Sequence, residues 1–272
     1  MPTYFANEPG NCCELFAASY ELATTPAMLE IERSVLGCDY GGTSWTTREQ
    51  AAGIAAALDL GRESHVLDIG SGSGWPALYV AAVSGCDVTL LDLPRNALAM
   101  ARRRAEADGL ANRVIVVSAS GAALPFASSS FSAITHSDVL CCLPDKTGML
   151  EECRRVAGGG GRMHFSVIAL AGGLGATERQ RAIDAGPPFL EAPADYPELL
   201  ERCGWRVLER SDCTAEHRES LSRLIDGMQS SKALTAQMDA GTIEEACAHR
   251  RQQIEVIDAG LLIRETFLAE VR

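Results

Sequence analysis

The sequence predicts an α/β protein whose mostly parallel sheet has seven strands, with helices on both faces. Short apolar stretches of strand length alternate with helical stretches of about 10–15 residues through the middle of the chain, which is the pattern of βαβ units. A glycine-rich turn, Gly70–Gly74, follows the first of these strands. The 272 residues, 47% of them apolar and 22% charged, can bury a sizeable core in one or two domains.

The elements follow one another in a regular order. Apolar runs of strand length predict five strands, at Val66–Ile69, Val88–Leu91, Val114–Val117, Phe131–Thr135 and Arg162–Ala169. Helical spacing of apolar residues predicts the helices between them, Trp75–Ser84, Arg95–Asp108 and Lys146–Val156. Two later strands, Trp205–Arg210 and Leu261–Val271, complete the predicted sheet.

Less regular segments surround this core and suggest the domain organisation. Residues 1–60 are predicted to form a helical unit that covers the ligand site, and residues 61–272 the core. Within the core, the Gly- and Pro-rich segment 171–197 is predicted to be a lid, and residues 213–258 a helical insert before the last strand.

Composition excludes several classes of function. The net charge of −12, from 24 basic and 36 acidic side chains, argues against a nucleic-acid partner, because such affinity comes mainly from Lys and Arg. No apolar run reaches the ~18 residues of a membrane span. Residues 1–8 lack the features of a signal peptide, so a cytoplasmic location is expected. The ten cysteines show no zinc-type spacing, and no metal site is expected.

The glycine loop and two carboxylates indicate a nucleotide-like ligand. Glycines allow close approach of the backbone to a ligand where a helix begins, and Gly72–Ala77 also matches the dinucleotide pattern G-x-G-x-x-A. Asp68, two residues before Gly70, would repel a pyrophosphate but favour a sulfonium and an ammonium. Asp92 lies 20 residues after Gly72, a spacing that suits a carboxylate bound to ribose hydroxyls.

These motifs resemble those of the class I S-adenosylmethionine-dependent methyltransferases. The similarity covers about residues 60–170 in the family's order, at Val66–Gly74, Leu90–Asp92, Ala122–Phe126, Ser130–Phe131, Asp138–Leu140 and Glu151–Gly161. It implies a Rossmann-like fold, S-adenosylmethionine as the cofactor and S-adenosylhomocysteine as the product. The flanks resemble the branch that methylates small metabolites, which implies a small-molecule acceptor, with an amine nitrogen favoured and a hydroxyl oxygen second.

The resemblance also implies roles for residues around the cofactor. Gly70, Gly72 and Gly74 would form the cofactor loop, although a glycine turn can also be purely structural. Asp92 would bind the ribose and Leu93 would pack on the adenine. Asp68 would face the methionine end, or cap amides of the loop.

Two positions depart from the family pattern. Ser120 stands where the family usually has Asp before the Leu-Pro-Phe segment, and it is predicted to contact the adenine as a neutral acceptor. Ser132 replaces an Asp after Phe131, a position expected to support strand packing.

The acceptor side is predicted from residues next to the expected methyl group. His136 and Asp138, just after strand four, are the candidates for a base and for a ligand of a cationic acceptor. Alternatively, His136 is a structural histidine whose hydrogen bonds are satisfied at the end of a strand, and Asp138 caps a helix. Tyr40, Ser44 and Trp45, from an N-terminal loop, would line the site or serve as packing anchors.

Two other functional classes remain open at the level of sequence. One is a nicotinamide-dependent oxidoreductase that uses the same loop, and the other is a cofactor-binding protein without transfer activity. The Asp68 carboxylate and the Leu124-Pro125-Phe126 segment count against the first. The identity of the acceptor and the oligomeric state do not follow from the sequence.

Overall fold

A seven-stranded sheet lies at the centre of the protein in the computed structural model, which describes residues 12–272. The strand order is β3-β2-β1-β4-β5-β7-β6. The strands are β1 (His65–Ile69), β2 (Asp87–Asp92), β3 (Val114–Ser118), β4 (Ala133–Ser137), β5 (Arg162–Leu170), β6 (Trp205–Asp212) and β7 (Leu262–Val271). The first five run parallel, and β7 runs antiparallel to β5 and β6. The predicted Rossmann-like, mostly parallel sheet is confirmed.

Helices cover both faces of this sheet. Those of the described chain are α1 (Cys12–Ala23), α2 (Pro26–Leu36), α3 (Arg48–Ala57), α4 (Ala77–Ser84), α5 (Arg95–Ala107), α6 (Lys146–Ala157), α7 (Ala176–Ala185), α8 (Tyr196–Arg202), α9 (Thr214–Ser230), α10 (Lys232–Gln237) and α11 (Ala240–Asp258). Successive residues of a strand face opposite sides, so Val66 packs with α4 and α5 while Leu67 packs with α6 and α8. None of these helices is long and apolar enough to cross a bilayer. The predicted absence of a signal peptide concerns residues 1–8, which lie outside the described residues.

The strand order places a ligand crevice at one edge of the sheet. The chain leaves β1 for β2 on one side and later reaches β4 on the other side. In open α/β sheets, ligands bind outside the carboxyl ends of the strands at such a switch point. The loop after β1, the end of β2 and the end of β4 therefore meet at this edge.

The N-terminal helices are attached to the same edge through the loop 38–47. The Thr46 hydroxyl lies 3.2 Å from the Ser137 hydroxyl, and the indole N–H of Trp75 donates to the Thr46 carbonyl at 2.7 Å. A capping box then starts α3, because Thr47 and Gln50 each accept the other's backbone N–H. The loop is thus held against β4 and the glycine loop.

Three local expectations differ from the structure. Strand four begins at Ala133 rather than Phe131, because Ser132 exchanges hydrogen bonds with the backbone of His65 instead of joining the ladder. The helix predicted from Trp75 begins at Ala77. The segment 171–197 contains the ten-residue helix α7, whose start is stabilised because Glu178 accepts the backbone N–H of Gly175.

Candidate active site

A cavity of about 460 Å³ lies at the carboxyl edge of the sheet. It is bounded by the glycine loop, the ends of β2 and β4, helices α1 and α2, the loop 42–45 and helix α11. Helix α11 packs on α7 and β7, on the β5 side of the sheet, whereas Asp92 lies on the β2 side. The cavity therefore extends from the Asp92 side to the α11 side.

Most of the predicted site residues lie in the wall of this cavity. They are Ser44, Trp45, Asp68, Gly70, Gly72, Asp92, Leu93, Ser120 and Asp138. Leu93 remains 49% exposed, and Ser120 accepts the backbone N–H of Ala122 at 3.3 Å. The structure thus brings the predicted cofactor residues together, while their roles remain predictions.

The glycine loop leaves no room for side chains at its first two glycines. Gly70 and Gly72 have φ of +66° and +53°, a region that L-residues seldom adopt. A Cβ on Gly70 would overlap Val139, and a Cβ on Gly72 would overlap the hydroxyl of Tyr20. Gly74 was predicted in the cofactor loop but lies outside the cavity wall. A Cβ there would approach Leu78 to 2.6 Å, so Gly74 serves close helix packing.

Asp92 connects the end of β2 to the glycine loop. Its Oδ2 accepts the Gly72 N–H at 2.7 Å, and its Oδ1 accepts the Leu93 N–H at 2.7 Å. Burial raises the pKa of Asp92 above its ordinary value, while these two backbone N–H groups lower it. Carboxylate oxygens can accept further hydrogen bonds, so Asp92 is placed to bind hydroxyl groups in the cavity.

Asp68 is a buried carboxylate at the floor of the cavity. It is 2% exposed, and burial raises the pKa of Asp68 to about 7. Its Oδ1 accepts the Thr135 hydroxyl at 2.7 Å. The alternative role as a cap of loop amides is not found, because Gly70 and Ser71 donate to the Leu91 carbonyl instead. A cationic ligand in the cavity would stabilise the charged form of Asp68.

Ser71 and Ser73 add polar atoms to this part of the wall. Both hydroxyls are buried, and neither has a hydrogen-bond partner within the part of the chain that the structure describes. Buried polar groups normally have partners, so these hydroxyls fit a polar ligand at the glycine loop. Together with Asp68, they give this part of the wall groups that could bind a charged polar ligand.

The structure contradicts the predicted role of His136. The ring is 1% exposed, lies outside the cavity wall and stacks on Phe165 at 4.6 Å between centroids. Ser137 follows it and faces the cavity, so strand alternation points His136 away. Burial lowers the pKa of His136 to about 3. The ring therefore lies in the core and not against a ligand in the cavity.

Asp138 lies in the wall, but its charge already has a partner. Its φ is +56°, and both carboxylate oxygens accept hydrogen bonds from Arg264, at 3.0 Å from Nε and 2.9 Å from Nη2. Arg264 is 1% exposed and also donates to Ser166 at 3.0 Å. Asp138 thus faces the cavity with its charge already paired, and its role as a ligand of a cationic acceptor stays a prediction.

Tyr40 does not line the site either. Its ring lies 5.1 Å from that of Trp75, and the Arg104 guanidinium lies 3.9 Å above its other side. Arg104 also binds Asp39 at 3.0 Å, which turns this end of the loop toward α5. Tyr40 is thus the packing anchor of the alternative interpretation, whereas Ser44 and Trp45 face the cavity.

Several wall residues were missed by the sequence interpretation. Tyr20 and Glu32 come from α1 and α2, and His249, Arg250 and Gln253 come from α11. Of the two histidines in the helical insert, His217 is 3% exposed and His249 lines the cavity. No local pattern marks these wall residues, whereas Arg264, a cation directly after the apolar run Leu261–Ile263, was a signal for a buried partner such as Asp138.

No metal site is found among the described residues, because no three His, Cys, Asp or Glu side chains group suitably there. The charged groups of the cavity wall include Asp68 and Asp92 at the glycine loop, Glu32 on α2 and Arg250 on α11.

Comparison with known proteins identifies relatives of the central segment. A family model described as a methyltransferase domain matches residues 67–165. Methyltransferase GfsG from Streptomyces halstedii is 32% identical over 167 residues, which are 59% of this chain and 59% of that protein. A glycine/sarcosine/dimethylglycine N-methyltransferase from Actinopolyspora halophila is 27% identical over 182 residues, 65% of this chain and 32% of that protein. Each match covers less than two thirds of the relative.

A solved structure shares the fold over most of the chain. Haemonchus contortus phosphoethanolamine N-methyltransferase 2, in complex with S-adenosyl-L-methionine, superposes with a TM-score of 0.76 at 19% identity. The superposition covers 91% of this chain and 57% of that chain. The similarity extends beyond the segment that the family model matches.

Proposed function

Because this chain belongs to the class I S-adenosylmethionine-dependent methyltransferase family, we propose that it transfers a methyl group from S-adenosylmethionine to a small molecule. The observation that carries the proposal is the pair of carboxylates at the glycine loop, the buried Asp68 and the half-buried Asp92. A pyrophosphate at this position would meet Asp68, which disfavours a nicotinamide cofactor. A cationic cofactor would be stabilised there.

The residues of the wall fit this cofactor. Asp92 would accept hydrogen bonds from the ribose, and Leu93 and Ser120 would contact the adenine. Asp68 would stabilise the cationic methionine end. When bound, the cofactor supplies a methyl group on a positively charged sulfur.

The chain's own contribution to transfer is mainly positioning and exclusion of water. Holding two reacting groups in the correct geometry can by itself supply a large share of a rate enhancement. Trp45 and Trp75 lie in the wall and restrict access of water. We propose that residues 1–60 and the segments 171–197 and 213–258 act as cover and lid of this site.

An amine nitrogen is proposed as the favoured acceptor atom and a hydroxyl oxygen as the second. Two observations support this order. The relative from Actinopolyspora halophila is named as an N-methyltransferase. In addition, His136 lies outside the wall, and a neutral amine needs no strong base, whereas an alcohol does. The net charge of −12 makes a nucleic-acid acceptor a poor fit.

Methyl transfer and cofactor preference test the proposal together. S-adenosylhomocysteine at about 100 times its Kd should stabilise the fold by about 2.7 kcal/mol. That corresponds to a rise in Tm of about 5 °C or more, and NAD should cause none. Transfer of labelled methyl to a panel of small amines and alcohols then separates an enzyme from a protein that only binds the cofactor. A rise in Tm with NAD and none with S-adenosylhomocysteine would contradict the proposal.

Replacing Asp92 with alanine should weaken S-adenosylhomocysteine binding by about 1.5–3 kcal/mol, the scale of hydrogen bonds to a charged group. The substitution also removes the acceptor that holds the Gly72 N–H. Asp87→Ala is a matched control, because Asp87 begins the same strand and pairs at the surface with Arg113. Calorimetry on both variants checks this, and equal affinities would place the ribose elsewhere.

A further inference from the structure

Helix α11 supplies the polar side chains at the end of the cavity opposite Asp92. His249, Arg250 and Gln253 lie in the wall there. Positions i, i+1 and i+4 of a helix can face one side when the helix lies along a cavity. This end of the site is therefore formed by the helical insert and not by the segment that matches the methyltransferase domain.

Apolar side chains share the cavity wall with these three residues. Met28 and Val35 of α2, Leu224 of α9 and Ile168 of β5 line the same cavity. Hydrogen-bonding groups in an apolar wall fix the orientation of a ligand, because the ligand's polar group is stable only beside them. The α11 side chains are thus placed to select one polar group of the acceptor.

Most charged groups of the wall are carboxylates. Asp68 and Asp92 lie at the glycine loop, Asp138 is paired with Arg264, and Glu32 of α2 accepts the backbone N–H groups of Gly41 and Gly42. Arg250 is the one Lys or Arg in the wall formed by residues 12–272. Its Nη1 donates to the Ala246 carbonyl at 2.8 Å, which directs the guanidinium along α11. Burial and the charge of Arg250 lower the pKa of the neighbouring His249 to about 4. Arg250 is therefore the cation that α11 contributes to the cavity wall.

We propose that the methyl acceptor carries a carboxylate, which Arg250 binds with help from the Gln253 amide. The inference rests on the proposed function and names the class of its substrate. A guanidinium presents parallel N–H groups that match a carboxylate, and the Gln253 amide can donate a further hydrogen bond. Binding at α11 would direct the other end of the acceptor toward the glycine loop, where the methyl group is held. Arg250 and Gln253 are thus assigned to acceptor binding.

Matched acids and amides test the inference on the full chain saturated with S-adenosylhomocysteine. The probes are 3-aminobenzoate with 3-aminobenzamide, and 6-aminohexanoate with 6-aminohexanamide, measured by calorimetry. The acid should bind at least about tenfold more tightly than its amide. In Arg250→Gln the ratio of the amide's Kd to the acid's Kd should fall to about one. In Arg250→Lys this ratio should be intermediate, because lysine keeps the positive charge but lacks the paired N–H donors of the guanidinium.

Arg251→Gln is the matched control. Arg251 is the next residue of α11, lies outside the cavity wall and pairs with Glu244 at 2.7 Å. This variant should keep the wild-type preference for acids. A thermal scan of each variant with S-adenosylhomocysteine shows whether its fold and cofactor site are intact.

The following results would overturn the inference that Arg250 binds an acceptor carboxylate. If no acid binds better than its amide to the wild-type chain, or if no acid binds at all, the inference is wrong. An acid preference that persists in Arg250→Gln also overturns it. Failure of the wild-type chain to bind S-adenosylhomocysteine contradicts the proposed function instead, and this is measured before any acceptor is added.

Discussion

Replacing Gly72 with alanine is expected to destabilise the chain by about 2–5 kcal/mol. The φ of +53° costs an L-residue about 1–2 kcal/mol. The new methyl group would also overlap the Tyr20 hydroxyl, and overpacking costs about 1–3 kcal/mol. Tyr20 is buried and bonded to Thr43 at 3.2 Å, so it has little freedom to move away.

The same substitution should reduce affinity for S-adenosylhomocysteine by about tenfold or more, or 1.4 kcal/mol. Displacement of the loop would separate the Gly72 N–H from Asp92, the carboxylate proposed to bind the ribose. Chemical denaturation measures the stability, and calorimetry measures the affinity.

Gly109→Ala provides the control for backbone strain. Gly109 has a φ of +74°, but no heavy atom lies within 4 Å of a Cβ placed there. This variant should lose only about 1–2 kcal/mol. The double variant Gly72→Ala with Tyr20→Phe should recover part of the loss, because the overlapping hydroxyl is gone. Equal losses in Gly72→Ala and Gly109→Ala would show that Tyr20 does not crowd the loop.

Arg264→Met should destabilise the chain by about 3–5 kcal/mol, because it leaves the Asp138 carboxylate buried without its cation. At about 2–4 °C per kcal/mol, Tm should fall by roughly 10 °C. Arg264 also donates weakly to Gln50, so the variant loses a contact to α3. Denaturant titration gives the loss of unfolding free energy directly.

Two further variants separate the charge effect from lost packing. Arg264→Met combined with Asp138→Asn should be more stable than Arg264→Met alone, since asparagine is neutral and tolerates the positive φ of position 138. Arg206→Met, which breaks an exposed pair with Glu270, should cost about 1 kcal/mol or less. A loss that small in Arg264→Met would mean that the buried pair contributes no more than a surface pair.

The sequence predicts best those features that depend on neighbouring residues. Val66–Gly74 combines a strand, a turn and a helix start within one short segment, so its conformation follows from local rules. The spacing of Asp92 from Gly72 is likewise set by one βαβ unit. The structure accordingly places both features in the wall of the same cavity.

Features that depend on distant partners did not follow from the sequence. The charge of Asp138 is compensated by a residue 126 positions later, and the position of Tyr40 is set by Arg104, 64 positions away. His136 is different, because alternation along β4 places it on the face opposite its neighbour Ser137, which lines the cavity. Wall residues on α1, α2 and α11 required the tertiary arrangement of the helices.

The two ends of the cavity come from different parts of the chain. The cofactor end is formed largely by residues 67–165, which match the family model, whereas Arg250 and Trp45 lie outside that segment. Substitutions in α11 can therefore change the proposed acceptor end while the contacts within the glycine loop are kept. A lineage with this architecture can acquire new acceptors by changing the helical insert, while the segment proposed to hold the cofactor is retained.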